Sequence, residues 1–177
     1  MYSLKKLFLF LILIVITLSL SAQSKELLTD YEKSGYKETP RYAETVAYCK
    51  KLESASKWIK YNSFGISPQL RELPLLIVDK KGNFTPEAVR KSGNLVLLIQ
   101  ACIHPGEPEG KDAGFTLIRD IISKPKMAEL LNHITVLFIP VLNVDGHERF
   151  GKYNRINQNG PIEMGWRTTA NNLNMKR

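Results

Sequence analysis

The chain has few cysteines, which mark disulfide-stabilised proteins, and its basic residues lack the arrangement typical of nucleic-acid-binding proteins. Its 177 residues include two cysteines, Cys49 and Cys102, too few for a disulfide framework. We expect both thiols to be free and buried, the alternative being that they pair. Lysines and arginines are scattered and do not alternate with aromatic residues along one stripe, which argues against nucleic-acid binding. Internal repeats and low-complexity segments are absent, so the chain is predicted to form one globular domain.

An apolar run lies at the amino terminus. Lys5 and Lys6 precede the run, which covers residues 7–20, and small residues follow it. This is the pattern of a secretory signal peptide, and the run is short for the alternative, a membrane-spanning anchor. No cysteine directly follows the run, which argues against a lipid anchor. We predict a signal peptide over residues 1–23, a secreted or periplasmic protein, and no stable membrane association after cleavage.

The remaining residues, 24–177, alternate between strand and helix patterns. The strand patterns cover residues 58–64, 70–79, 95–99 and 134–141. The helix patterns begin near Thr39, which we expect to act as the cap, and at Thr85, Glu109 and Lys126. Residues 95–99 are continuously apolar, so we expect that strand to be buried on both faces. The alternation predicts a layered α/β fold.

The chemically distinctive stretch follows strand 95–99, where the apolar run ends in residues 104–114, HPGEPEGKDAG. His104 and Glu107 lie three residues apart in a loop tightened by prolines and glycines. Loops that leave the carboxyl ends of strands are where open α/β sheets bind ligands, and both side chains can ligate zinc. The spacing alone is a weak pattern, and the alternative is a hydrogen-bonded structural histidine. A second alternative, Cys102 as a nucleophile, is disfavoured because Cys102 follows a buried strand.

The strand at 134–141 also ends in turn-forming residues, Asn143, Val144, Asp145 and Gly146. We therefore predict a site built from two strand ends. Asp145 and Gly146 are a turn signal on any interpretation.

Two segments resemble one known family. Residues 104–114 resemble the zinc-binding segment of the carboxypeptidase A-like zinc peptidases, in their secreted bacterial branch, and residues 165–177, GWRTTANNLNMKR, resemble a second segment of that family. The resemblance covers roughly residues 37–177. It implies a mixed, mostly parallel sheet flanked by helices. It also implies that residues 24–177 are the amino-terminal part of a zinc carboxypeptidase domain, truncated at its carboxy-terminal side.

The resemblance also implies a function and its residues. His104 and Glu107 would bind Zn²⁺, and Arg167 would polarise the scissile carbonyl and stabilise its oxyanion. Arg177, aided by Lys176, would bind the terminal carboxylate of a peptide substrate with a free carboxy terminus. A guanidinium suits both arginine roles because it is always charged and can donate two parallel hydrogen bonds. The implied reaction is zinc-dependent hydrolysis of carboxy-terminal residues from peptides.

The sequence departs from the family pattern in three places. Val144 replaces a usual proline, and Lys176 stands where an asparagine is usual. The family takes its third zinc ligand, a histidine, and its catalytic glutamate from further along, and His133 and His147 match neither. We therefore expect these 177 residues alone to bind zinc weakly and to be inactive. The alternative is a non-catalytic exported module that binds peptide or cell-wall carboxy termini.

Overall fold

Four strands form one sheet in the described part of the chain, which is residues 6, 8, 9 and 27–176 of a computed structural model. The strands are β1 (Ile59–Ile66), β2 (Glu72–Val78), β3 (Leu95–Gln100) and β4 (Ile134–Ile139), in the spatial order β1-β2-β4-β3. Arg177, which is predicted to bind substrate, lies outside the described residues. So do residues 1–23, the predicted signal peptide, apart from positions 6, 8 and 9.

The predicted mixed α/β fold is confirmed, but parallel pairing is less extensive than expected. β3 and β4 pair in parallel, whereas β2 pairs antiparallel with both β1 and β4. The sheet is therefore not mostly parallel among the described strands. The short loop 67–71 joins β1 and β2 as an antiparallel hairpin, whereas β3 and β4 are joined by a long helical crossover, which parallel pairing requires.

Helices connect and cover these strands. They are α1 (Asp30–Lys33), α2 (Tyr42–Ala55), α3 (Pro86–Ser92), α4 (Glu109–Ser123), α5 (Pro125–Ala128), a 3₁₀ turn (Glu129–Asn132) and α6 (Val144–His147). Thr85 caps α3 as predicted, because its side chain accepts a hydrogen bond from the Ala88 amide. The predicted Thr39 cap of α2 is wrong. α2 begins after Arg41, and the Thr39 hydroxyl donates to Asp112 instead.

The core lies between the sheet and the helices α2 and α4. Its largest fully buried side chains include Leu52, Leu76, Phe115 and Phe138, and the two phenylalanine rings meet edge to face. Cys49 and Cys102 are free and buried, as predicted. No helix in residues 27–176 or at positions 6, 8 and 9 is long and apolar enough to cross a membrane.

The strand β3 is an edge strand, which corrects the expectation that it is buried on both faces. Its first four residues, Leu95 to Leu98, are 72%, 55%, 47% and 50% exposed. Its inner edge pairs with β4, and no described strand pairs with its outer edge. A continuous apolar run does not show whether a strand is covered on both faces or lies exposed at the edge of the sheet, because the run does not alternate in either case.

The contact between Gly114 and Phe138 offers a test of this packing. A Cβ added at Gly114 would lie 2.6 Å from Phe138 Cε2, and Phe138 is fully buried. We expect Gly114→Ala to lower the free energy of unfolding by about 1–3 kcal/mol, measured by urea denaturation, because overpacking outweighs the helix propensity of alanine. In a Phe138→Leu background the same change should cost much less. An equal cost in both backgrounds would contradict the contact.

Candidate metal centre

The ends of β3 and β4 run side by side beyond the regular sheet. The Ala101 amide donates to the Ile139 carbonyl at 2.9 Å, and the Leu142 amide donates back to the Ala101 carbonyl at 3.0 Å. One residue further, the Asn143 amide donates to the Cys102 carbonyl at 3.2 Å. These bonds hold the two loops together, so both strand ends contribute to one region, as the sequence predicts.

The loop after β3 brings His104 and Glu107 together. A tight turn, in which the Glu107 amide donates to the His104 carbonyl at 2.8 Å, folds the two side chains onto the same side. His104 is only 5% exposed, and its Nδ1 lies 3.5 Å from Glu107 Oε1. The two predicted ligands are therefore neighbours in space as well as in sequence.

The hydrogen bonding of His104 fixes which ring nitrogen is free. Nε2 lies 2.8 Å from the carbonyl oxygen of Met175, which can only accept, so Nε2 must carry the hydrogen. The neutral ring then has its lone pair on Nδ1. Nδ1 is buried and has no hydrogen-bond partner among the described residues. A backbone carbonyl that orients a histidine through its far nitrogen is typical of metal-binding histidines.

This pair of side chains fits a zinc ion. Zinc binds histidine nitrogen and carboxylate oxygen at about 2.0–2.2 Å, and tetrahedral geometry then places two ligand atoms about 3.4 Å apart. The observed separation of Nδ1 and Oε1 is 3.5 Å. Hydrolytic zinc sites use three protein ligands. Within residues 27–176 and positions 6, 8 and 9, no group of three His, Cys, Asp or Glu side chains is arranged to bind one ion.

Two arginines face the same carboxylate. Arg155 Nη1 lies 2.9 Å from Glu107 Oε1, and Arg167 Nη1 lies 3.6 Å from that atom. The structure thus places the predicted Arg167 beside the predicted ligand Glu107. Arg155 was not anticipated, because residues 151–160 are rich in Asn and Gly and are typical of a surface loop. No local pattern there singles out one arginine.

The segment around Arg167 is held against the end of β4. The Trp166 amide donates to the Gly146 carbonyl at 2.8 Å, and Asn143 Nδ2 donates to the Arg167 carbonyl at 3.3 Å. Gly165 is required there, since a Cβ would lie 2.6 Å from the Cβ of Pro105. The close approach of two backbones therefore positions Arg167 beside the loop that carries His104.

Lys176 and Arg177, the two residues predicted to bind the substrate carboxylate, directly follow Met175. Lys176 is exposed, and its side chain makes no hydrogen bond or ion pair with any described residue. Arg177 lies outside the described residues. Their neighbour Met175 does reach the centre, through its carbonyl oxygen on His104. The backbone of residues 173–176 therefore passes the candidate site.

Asp145 has a structural contact that explains the turn signal. It is buried and accepts hydrogen bonds from the Ser67 hydroxyl at 2.8 Å, the Gln69 amide at 3.2 Å and the Arg71 guanidinium at 2.7 Å. Asp145 thus fastens the β1–β2 loop to the end of β4. Its role is therefore structural, since it holds together the elements around the candidate site.

A buried Lys111–His147 pair lies behind the centre. Lys111 Nζ donates to the Pro40 carbonyl at 2.5 Å and lies 2.9 Å from His147 Nε2, while His147 Nδ1 lies 3.4 Å from Glu148 Oε1. Burial, aided by the charge of Lys111, lowers the pKa of His147 to about 4, and burial also lowers the pKa of Lys111. The pair joins α4 to α6.

The environment of Cys102 disfavours its role as a nucleophile. Burial raises the pKa of the thiol to about 12, so the reactive thiolate is scarce at neutral pH. The residue also has a left-handed backbone, with φ of 50°. Cys102 therefore shapes the turn that leads from β3 to His104.

Comparison with protein families decides the classification of the chain. The model of a family described as zinc carboxypeptidase matches residues 45–177. The chain belongs to the zinc carboxypeptidase family. The matched region contains the His104–Glu107 pair and Arg167. A search of curated proteins found no match.

Solved carboxypeptidases share the fold of this family member. Carboxypeptidase A from Helicoverpa armigera matches with a TM-score of 0.54 and 21% identity over 62% of this chain and 26% of its own. A metallo-carboxypeptidase from Burkholderia cenocepacia matches with a TM-score of 0.53 and 19% identity, over 75% of this chain and 31% of its own. A third structure is a metallo-carboxypeptidase from Pseudomonas aeruginosa in complex with (2-guanidinoethylmercapto)succinic acid. It matches with a TM-score of 0.50 and 22% identity, over 75% of this chain and 29% of its own. The chain thus spans less than a third of the length of these structures.

The buried state of His147 makes stability depend on pH. Between pH 6.5 and about 4 the unfolded chain takes up a proton at His147 that the folded chain does not, so stability falls as pH falls. His147→Gln keeps an acceptor for Lys111 but removes this titration. On acidification from pH 7 to pH 4, we expect the wild type to lose up to about 3 kcal/mol more unfolding free energy than the variant.

Urea denaturation of both proteins across this pH range measures the difference, and the titration of groups that do not contact His147 cancels in the comparison. A difference between wild type and variant that is constant from pH 7 to pH 4 would contradict the assignment.

Proposed function

We propose that this protein is a zinc-dependent metallocarboxypeptidase that removes carboxy-terminal residues from peptides. The observation that carries the proposal is the convergence of His104 Nδ1, buried and without a hydrogen-bond partner among the described residues, on Glu107 Oε1 at 3.5 Å. A hydrogen-bonded structural histidine would have both ring nitrogens satisfied when buried. Membership of the zinc carboxypeptidase family supports this proposal.

In this proposal His104 and Glu107 hold the zinc ion. When bound, zinc polarises the carbonyl under attack and activates water at neutral pH. The Met175 carbonyl keeps the His104 ring in the tautomer that has its lone pair on Nδ1. Glu107 would balance part of the charge of a bound ion, and Arg155 and Arg167 would then be less strongly held by this carboxylate.

The arginines would then act on the substrate. Arg167, whose Nη1 lies 3.6 Å from Glu107 Oε1, would donate to the oxygen of the scissile carbonyl as negative charge develops there. Arg177 and Lys176 are assigned to the terminal carboxylate. The lysine would attract this anion as a point charge, while the arginine could grip it with two hydrogen bonds.

The proposal extends to the whole protein. Residues 24–177 would be the amino-terminal part of the domain, since the solved relatives are more than three times as long as the region they share with this chain. The third ligand and the general base would come from the rest of that domain. Residues 1–23 would direct export to the periplasm or medium. Amino-terminal sequencing of the mature protein, expected to start at about residue 24, tests this step.

Zinc binding tests the metal assignment. We expect the purified full-length protein to bind one zinc ion per chain after dialysis, measured by elemental analysis and chelator competition. His104→Ala and Glu107→Gln should each weaken binding by more than about a hundredfold, since loss of a partner outside the ligand set already costs 10–100-fold. The control His133→Ala changes an exposed histidine and should bind like the wild type. Unchanged affinity in either ligand variant would refute the site.

Peptide hydrolysis tests the role of Arg167. We expect Arg167→Ala in the full-length protein to lower kcat/KM for a blocked dipeptide by about 10²–10³-fold, because it removes a donor to the developing oxyanion. Arg90→Ala, at an exposed arginine on α3 that pairs with Glu87, should retain the wild-type rate. Equal rates in both variants would exclude this role. A wild type that binds the dipeptide without cutting it would favour the non-catalytic module.

A further inference from the structure

Arg155 contacts the candidate metal centre, although the proposed reaction gives it no role. Its Nη1 donates a hydrogen bond to Glu107 Oε1 at 2.9 Å. The same oxygen lies 3.5 Å from His104 Nδ1, the ring nitrogen assigned to zinc. Arg155 therefore holds the carboxylate oxygen that faces the other proposed ligand.

The stem of Arg155 crosses the turn between the two proposed ligands. A Cβ added at Gly106 would lie 2.7 Å from Arg155 Cγ and 3.2 Å from Arg155 Cδ. These carbons therefore lie against the bare backbone of Gly106, the residue directly before Glu107. A larger residue at this position would push the stem of Arg155 away from the loop.

The loop that carries Arg155 is fixed at its base. The Gly151 amide donates to the Met164 carbonyl at 3.0 Å, and Met164 is buried. The side-chain amide of Asn154, the residue before Arg155, donates to the carbonyls of Arg149 and Met164, each at 2.8 Å. An anchored backbone thus brings the guanidinium to the carboxylate.

The two arginines at Glu107 differ in exposure and in contact. The side chain of Arg155 is 26% exposed and donates a hydrogen bond to the carboxylate. The side chain of Arg167 is 43% exposed, and its Nη1 lies 3.6 Å from Oε1, too far for a hydrogen bond. The less exposed arginine therefore suits a lasting contact within the protein, and the more exposed one can turn its donors to a substrate.

The hydrogen bond from Arg155 is compatible with a bound metal ion. An ionised carboxylate has about four lone-pair sites on its two oxygens, and a single N–H donor takes one of them. Carboxylates that bind metals are themselves hydrogen-bonded by outer partners that orient them. A glutamate oriented in advance has less side-chain freedom to lose when the ion binds.

We infer that Arg155 is a positioning residue for the metal ion: its hydrogen bond holds the Glu107 carboxylate toward His104 Nδ1, and Gly106 leaves room for its stem. The inference rests on the proposed function, since it concerns the same zinc site. The charge of Arg155 acting alone would have the opposite effect, because a cation near the site repels zinc. The sign of the change in zinc affinity therefore distinguishes positioning from charge.

The zinc affinity of Arg155→Met tests the inference. Methionine keeps an apolar stem beside Gly106 and removes the guanidinium. We expect the full-length variant to bind zinc about 10–100-fold more weakly than the wild type in chelator competition, the loss typical of removing an outer partner of a metal ligand. Lys152→Met, the same replacement at an exposed lysine of the same loop, should bind zinc like the wild type.

A double-mutant cycle separates positioning from a general effect on the loop. In a Glu107→Ala background, Arg155→Met should change the remaining zinc affinity by less than about twofold, because the carboxylate through which Arg155 acts is gone. A loss as large as in the wild-type background would show a merely structural effect and would overturn the inference.

The outcomes for this inference and for the proposed function differ. If Arg155→Met binds zinc as tightly as the wild type or more tightly, while His104→Ala and Glu107→Ala lose affinity, the inference is overturned and the zinc site stands. A wild type that binds no zinc, or whose affinity neither ligand variant changes, would overturn the proposed function and the inference with it.

Discussion

The candidate centre depends on the hydrogen bonds that continue the β3–β4 pairing beyond the strands. Parallel pairing aligns the carboxyl ends of the two strands, and the bonds between Ala101, Leu142 and Asn143 carry that alignment into the loops. One loop then supplies His104 and Glu107. The other anchors the segment that carries Arg167. Without this register, the groups would lie on separate loops with no fixed distance between them.

Charge balance explains the arrangement around Glu107. Its carboxylate faces Arg155 and Arg167, while His104 presents a bare nitrogen to the same space. A divalent cation between the nitrogen and the carboxylate would take over the role of the arginines as the positive partner of Glu107. The arginines would then be available to an anion. In the proposed function, the same residues would thus serve both a metal ion and a carboxylate or oxyanion.

Local patterns were sufficient to predict the end of β3 and the helix α4, because each depends on neighbours in sequence. The pairing of His104 with Glu107 also needed the family resemblance, because their spacing alone is a weak pattern. Local patterns could not predict Arg155, which reaches Glu107 from an irregular loop 48 residues away. Nor could they predict the hydrogen bond between the Met175 carbonyl and His104, since every residue has a backbone carbonyl and the sequence does not show which one is used. The exposure of β3 was missed for a related reason. It depends on where the strand lies in the sheet, and its own residues do not encode that position.

In the proposed metal centre, zinc binds His104 through Nδ1 together with Glu107, while Nε2 stays on the Met175 carbonyl. A crystal structure of the zinc-loaded full-length protein, with anomalous data collected at the zinc edge, tests it most directly. We expect a single strong anomalous peak within bonding distance of Nδ1 and of a Glu107 oxygen. A peak on Nε2, or a zinc ion that contacts neither residue, would contradict the account.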